Sequence, residues 1–469
     1  MINSKYIERL LEGPAESDAE KLSPVLDEAK GLKGLSLEQA ALLLKTEDPA
    51  LLARIHACAE RVKQRVFGNR IVLFAPLYLS NYCVNSCLYC GFKSGNKELP
   101  RRALTKDEAV AEARTLVAMG FKRVLLVAGE DKRYGTDYIA GIVRAIYKET
   151  GMRIIHVNAA PMDIKELSEL KAAGVGVYQV FQETYHRPTY EKMHPGGPKK
   201  DYDYRINVME RAAEAGFEDL GIGTLLGLYD YRFDVLSTIA HSRSLFKRYG
   251  MHAHTISIPR LRPASGTTGD AEALNAHSVS DSELKKITAI YRLSVPTAGV
   301  VVTTREPEEL RRELLHAGAS QLSAASRTSP GGYGSTRPEQ SETGSPEGGK
   351  DAGTLEQFST NDQRSVTEVM ATIIKEGGLP SLCTTCYRTG RVGAHFTELS
   401  SRGEMHKFCQ ANALLSLKEY TIDNPPNGNA ELFNDALNKT FDSIKDKEIK
   451  DSVTQKLKAL EKGKKDLYL

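Results

Sequence analysis

Between residues 69 and 328 short apolar runs alternate with longer stretches that carry helix signals. The runs are IVLFAPLYLS, RVLLVAGE, RIIHVNAA, GVYQVFQET, LGIGTLLGL, HTISIPRL, GVVVTTRE and SQLSAASRT, and each reads as a strand. Gly120, Gly151, Gly174, Gly216, Gly250, Gly299 and Gly318 stand shortly before strands, where each suits the left-handed cap of a helix. Thr105 with Glu108, and Asp163 with Glu166, mark helix starts. Eight strands alternating with helices predict an α/β fold, a parallel (β/α)8 barrel. A doubly wound open sheet is the alternative topology.

Flanking segments read differently. Residues 1–68 are predicted helical: Ser36 and Gln39 form a capping box, and Asp48 caps a helix with Pro49 in its first position. Leu51, Ile55, Cys58 and Val62 share one face, so Cys58 is expected in the core. Residues 329–354 are rich in Gly, Ser, Pro and charge and read as a flexible linker or long surface loop. Residues 355–469 form a further, mainly helical segment whose last lysines are expected to face solvent.

This order places candidate chemistry. Barrel active sites lie at the carboxyl ends of the strands. The string CVNSCLYC directly follows the first strand, and Glu130, Glu183, Thr184 and Arg305 end others, so all are predicted to converge. A guanidinium at Arg305 suits a bidentate grip on an amino-acid carboxylate. His254 begins the sixth strand and is therefore expected at the opposite mouth.

Cys83, Cys87 and Cys90 are spaced C-x3-C-x2-C. Three thiolates fit three corners of a [4Fe–4S] cube and leave one iron open for a substrate or cofactor. A structural zinc wants four ligands, and no fourth cysteine or histidine lies nearby in sequence. Cys383, Cys386 and Cys409 form a second group, C-x2-C-x22-C. Its spacing alone leaves iron–sulfur, zinc (with His395 or His406) and a redox pair open.

Composition narrows the partners. The 63 basic and 60 acidic residues nearly balance, which argues against a nucleic-acid groove or an anionic membrane surface. No apolar run approaches a membrane span, and the start MINSKYIERLLEG has no signal-peptide core, so a cytoplasmic protein is expected. Six of the seven cysteines are clustered, which speaks against a disulfide scaffold.

CVNSCLYC, with the aromatic Tyr89 before its third cysteine, resembles the signature of the radical S-adenosylmethionine (SAM) superfamily. QVFQETYH, PRLRP, TTRE and SAASRTSPGGY resemble its aromatic amino-acid lyase branch. The second cysteine group after such a barrel is similar to the tyrosine lyases of [FeFe]-hydrogenase maturation. The resemblance implies Cα–Cβ cleavage of L-tyrosine to p-cresol and dehydroglycine under anaerobic conditions. It implies CO and cyanide formation at an auxiliary [4Fe–4S]-type cluster with an additional iron, giving an Fe(CO)(CN) precursor of the H-cluster for other maturation proteins. The thiazole-pathway tyrosine lyases, and a non-catalytic Fe–S scaffold, are the rival readings.

By the same resemblance Cys83, Cys87 and Cys90 hold the SAM cluster, and Cys383, Cys386 and Cys409 the auxiliary one. His254 ligates the additional iron, with His252 as competitor. Tyr89, Gly129, Glu130, Glu183 and Arg205 contact SAM. Tyr78, Arg305 and Ser323 contact the substrate. Gly331 and Gly332 either line the cofactor or begin the linker.

Overall fold

The computed structural model describes residues 2–264, 266–267, 276–334 and 356–469. β1, Arg70–Ser80, is its spine. Successive side chains of a strand point to opposite faces. Ile71, Leu73, Ala75, Leu77 and Leu79 accordingly join the main core under the helices, while Phe74 and Tyr78 belong to separate small clusters.

β2 (Arg123–Ala128), β3 (Ile154–Asn158), β4 (Val175–Gln179), β5 (Asp219–Gly223), β6 (Thr255–Ser257), β7 (Gly299–Val302) and β8 (Gln321–Ser323) follow in parallel, each beside the next. β1 pairs with β8 through Phe74 and Ser323 and with β2 through Ala75 and Val124. The ring is therefore closed, a (β/α)8 barrel, and the open-sheet alternative is excluded.

The amino-terminal helices α1 (Ser4–Leu11), α2 (Ala19–Ala29), α3 (Leu37–Leu44) and α4 (Pro49–Phe67) form as their caps predict. Ser36 and Gln39 make the reciprocal capping box, Asp48 accepts from Leu51 N, and Cys58 is fully buried. The Thr105–Glu108 and Asp163–Glu166 boxes are present too.

Five of the seven glycines adopt the expected positive φ, between +71° and +114°. Gly151 and Gly299 do not. The helix Thr136–Glu149 ends on Thr150 instead. Gly299 opens β7, and a Cβ there would lie 2.1 Å from Gln321 Nε2, so its role is close approach inside the barrel.

The carboxyl-terminal segment is not wholly helical. β9, Leu379–Ser381, pairs with Arg70–Val72 of β1. Val72 stands opposite both Gln321 and Ser381 in the register, so β9 occupies the edge that β2 takes higher up. Helix Met405–Asp423 packs against β9 and α4 and carries Cys409. Residues 329–334, the start of the expected linker or loop, pack on the barrel: Tyr333 is buried, and its hydroxyl donates to Pro76 O at 2.9 Å. Residues 335–354, the rest of that expected linker or loop, lie outside the described residues.

Candidate active site

The carboxyl ends of the strands open onto a cavity of about 220 Å³. Cys83, Cys87 and Cys90 line one wall. None of the seven cysteines is in a disulfide. Asn85 Nδ2 approaches Cys83 Sγ at 3.7 Å, and Gln357 Nε2 approaches Cys90 Sγ at 3.6 Å. Burial pushes the Cys87 thiol up to about 12, and Cys90 is raised by the same cause. Thiols so placed stay protonated unless a metal displaces the proton.

Opposite them lies a buried charge cluster. Glu183 Oε1 is 2.7 Å from Lys199 Nζ and 3.4 Å from Arg205 Nη2. Burial pushes the Glu183 carboxyl up, but the two cations outweigh it and hold the group below the usual carboxylate range. Glu183 has φ +71°, a left-handed backbone without glycine's freedom, which costs about 1–3 kcal/mol. Arg205 Nε donates to Phe181 O at 2.8 Å, so the guanidinium is built in rather than a surface pair. Asn85 Nδ2 donates to Glu130 Oε2 at 2.6 Å, and its Oδ1 accepts from Lys199 N. At Gly129 a Cβ would lie 2.3 Å from Tyr82 O, so glycine there lets the cysteine loop close down.

Residues after the undescribed segment cover this mouth. Gln357 Oε1 accepts from Tyr78 OH at 2.8 Å, and Gly91 N donates to Gln357 O. The Arg305 guanidinium carbon sits 3.4 Å from the centre of the Phe358 ring, and Nη1 donates to Arg260 O at 3.1 Å. Burial brings its pKa down to about 10, where it stays a cation at neutral pH. Ser323 lines the same cavity, with its hydroxyl accepting from Thr304 N.

A second cavity, about 40 Å³, lies at the amino-terminal mouth. Cys383, Cys386 and Cys409 line it with His254, Arg70 and Arg123. Cys383 Sγ accepts from Thr385 N at 3.3 Å. Burial raises the Cys386 thiol to about 12 and lifts Cys409 as well. His254 Nε2 shares a hydrogen bond with Tyr387 OH at 3.0 Å, and its Nδ1 lies 3.0 Å from Asp219 Oδ1. Among the described residues no group of three or more His, Cys, Asp or Glu is close enough to hold one metal ion. A cube spreads its three thiolates over three irons, so three cysteines around one cavity fit it at both mouths.

Comparison with known proteins agrees with this geometry. The radical SAM superfamily profile matches residues 77–240, and that of the biotin and thiamin synthesis associated domain matches 257–378. The chain is 30% identical to 2-iminoacetate synthase of Escherichia coli over 362 residues, which are 77% of this chain and 90% of that protein. A crystal structure of HydG, a maturase of the [FeFe]-hydrogenase, superposes with a TM-score of 0.91 at 39% identity, covering 100% of this chain and 99% of that one. HydG from Carboxydothermus hydrogenoformans gives 0.79 at 36% identity, with 97% of each chain covered. The chain belongs to the radical SAM tyrosine-lyase family. Membership implies SAM and a [4Fe–4S] cluster.

In this radical SAM lyase most residues singled out in the sequence meet at the upper mouth, Tyr89, Gly129, Glu130 and Arg205 among them. Thr184 does not: its hydroxyl donates to buried Asp234, and it lies outside the cavity wall. Gly331 and Gly332 also miss the wall; a Cβ on Gly331 would meet Arg102. At the lower mouth His252 turns away to Ser242 and stacks on Phe246, while His395 and His406 bind backbone carbonyls of their own turns. Sequence reasoning missed Lys199, Asn85, Gln357 and Phe358. Lys199 is in a loop of glycine, proline and lysine, and Gln357 and Phe358 follow a low-complexity stretch, so no periodicity marked them.

Proposed function

We infer that the chain cleaves the Cα–Cβ bond of L-tyrosine to p-cresol and dehydroglycine at the upper cavity, then forms CO and cyanide at the lower one. The product is an Fe(CO)(CN) precursor for the [FeFe]-hydrogenase H-cluster, passed to other maturation proteins. The observation that carries this reading is the second three-cysteine cavity, with His254 in its wall, at the far mouth of the same barrel. Full-length similarity to HydG supports it.

A [4Fe–4S] cluster held by Cys83, Cys87 and Cys90 supplies, with SAM, the one-electron chemistry that starts tyrosine cleavage. The chain's residues position and enclose. Glu183, with Lys199 and Arg205, offers a fixed set of charges for the polar groups of SAM, and Glu130 with Asn85 offers a second. Arg305 grips the tyrosine carboxylate; its stacking on Phe358 fixes the fork before substrate arrives, which lowers the entropic cost of binding. Tyr78 and Ser323 complete that wall. Gln357 and Phe358 keep water from the reacting carbon. Below, Cys383, Cys386 and Cys409 would hold the auxiliary cluster, and His254 the additional iron.

Anaerobic reconstitution followed by SAM, dithionite and tyrosine tests the reading. Deoxyadenosine, p-cresol, CO and cyanide are all expected. Deoxyadenosine and p-cresol without CO or cyanide would point to a 2-iminoacetate synthase, and no deoxyadenosine from fully loaded protein would leave only a scaffold.

A further inference from the structure

Glu183 holds a backbone conformation, φ +71°, that residues with side chains ordinarily avoid. Such a residue persists only where its surroundings over-determine it. On one side Glu183 is tied to the barrel: Gln182 N donates to Gly223 O at 3.0 Å, and Leu225 N donates to Glu183 O at 2.8 Å. On the other side two ties converge on one atom. Asp234 Oδ1 accepts from Thr184 Oγ1 at 3.0 Å and from Tyr185 N at 2.7 Å. Thr184 Oγ1 in turn accepts from His186 N at 3.2 Å. Tyr185 is fixed further, since its carbonyl accepts from Tyr202 OH at 2.9 Å and its hydroxyl shares a hydrogen bond with His241 Nδ1 at 2.9 Å. Tyr202 opens the short helix that carries Arg205. The turn held by Asp234 is therefore the one from which Glu183 meets Arg205.

Asp234 is a costly group to keep. It is 1% exposed, and no salt bridge reaches it among the described residues. Burial pushes its carboxyl up to about 7. It lies in the first turn of helix Tyr231–Tyr249, whose positive end favours a negative charge and offsets part of that cost. An apolar side chain would fill the space with no charge to desolvate. What only an acceptor supplies is the hold on Thr184 and Tyr185. Asp234 itself lines neither cavity, so any effect on the site runs through that turn.

We propose that Asp234 is a positioning residue for SAM: it keeps Glu183 in the left-handed conformation from which its carboxylate reaches the cofactor. This rests on the reading that Glu183 meets polar groups of SAM.

The test is calorimetric titration of SAM into the anaerobically reconstituted full chain, with neither tyrosine nor reductant present. Asp234→Ala is expected to weaken SAM about tenfold, with iron, sulfide and the number of binding sites unchanged. A role in folding alone would lower the number of sites and leave the affinity of the rest intact; that result would overturn the proposal. Asp234→Asn keeps an acceptor oxygen with two lone pairs and should bind SAM within about twofold of the parent. A loss as large as that of the alanine variant would remove the two hydrogen bonds as the cause and refute the proposal. In a Glu183→Gln background, adding Asp234→Ala should cost no further affinity, because both changes act through one carboxylate. A second tenfold loss there would sink the proposal while leaving the reading of Glu183 standing. Glu183→Gln that binds SAM as tightly as the parent would end that reading, and the proposal with it. If Asp234→Ala does not accumulate as folded protein, Thr184→Val removes the hydroxyl tie alone and carries the same cycle. Its expected loss is about threefold, and unchanged affinity counts against the proposal.

Discussion

Lys199 shows how much one side chain governs at the upper site. It is the nearer of two cations on Glu183, and both groups are largely buried. Lys199→Met leaves Arg205 as the sole partner. Removing one partner of a buried pair typically costs about 3–5 kcal/mol, and the remaining cation should bring that down to about 2. The pH dependence follows from the Glu183 shift. Its carboxyl is held below the ordinary value, so the stability it contributes is present above the carboxylate range and is lost as pH falls through the lowered pKa. In Lys199→Met that pKa rises. The gap between variant and parent in urea denaturation should therefore be full at pH 7 and shrink toward pH 4; a gap that widens on acidification would refute this account. Arg305→Lys tests the other wall: a lysine loses the fork and the Phe358 stack, so the KM for tyrosine in p-cresol assays should rise about tenfold or more.

At the scale of elements, the barrel helices and the carboxyl-terminal segment are joined through tight contacts. Gly120, after helix Lys106–Ala118, has φ +92°, and a Cβ there would lie 2.7 Å from Tyr420 Cδ2 on helix Met405–Asp423. Gly120→Ala meets both the strained backbone and the ring, and should destabilise the fold by about 1–3 kcal/mol, read from the urea midpoint at constant slope. Elements of this kind differ in how plainly the sequence announces them. Strands one to eight are legible because each apolar run has its own helix and turn signals. β9 is three residues, LPS, with a proline in the middle, and only pairing with the edge of β1 that β2 leaves open makes it a strand. Gly299 and Gly151 look like helix caps in the sequence because a glycine before a strand signals a cap and a close approach equally well. Thr184 was expected in the site from its place at a strand end, but buried Asp234 claims its hydroxyl.

On the scale of the whole molecule the two cavities lie at opposite mouths of one barrel, and the proposed function divides its two stages between them. Cys386→Ala touches only the lower wall. Formation of p-cresol should continue in that variant while CO release is lost; an unchanged CO yield would remove the lower cysteines from the second stage. The cysteine spacings made both sites legible in the sequence, and the position of His254 at the head of β6 foretold which mouth it joins. The wall that the two cavities share was not legible in the same way, because it depends on the Gln321 side chain, which lies where Gly299 has none.

The pairing of Arg70 with Leu379 also gives the chain a direction of assembly. A polypeptide emerges amino-terminus first, and its early parts can fold before later parts exist. β1 through β8 suffice to close the barrel and present Cys83, Cys87 and Cys90. The lower half of β1 must then wait, one edge unpaired, until Leu379–Ser381 arrives and Cys409 follows on its helix. The order of synthesis thus matches the order of the proposed chemistry: the cysteines of the radical-generating mouth emerge first, and those of the receiving mouth follow.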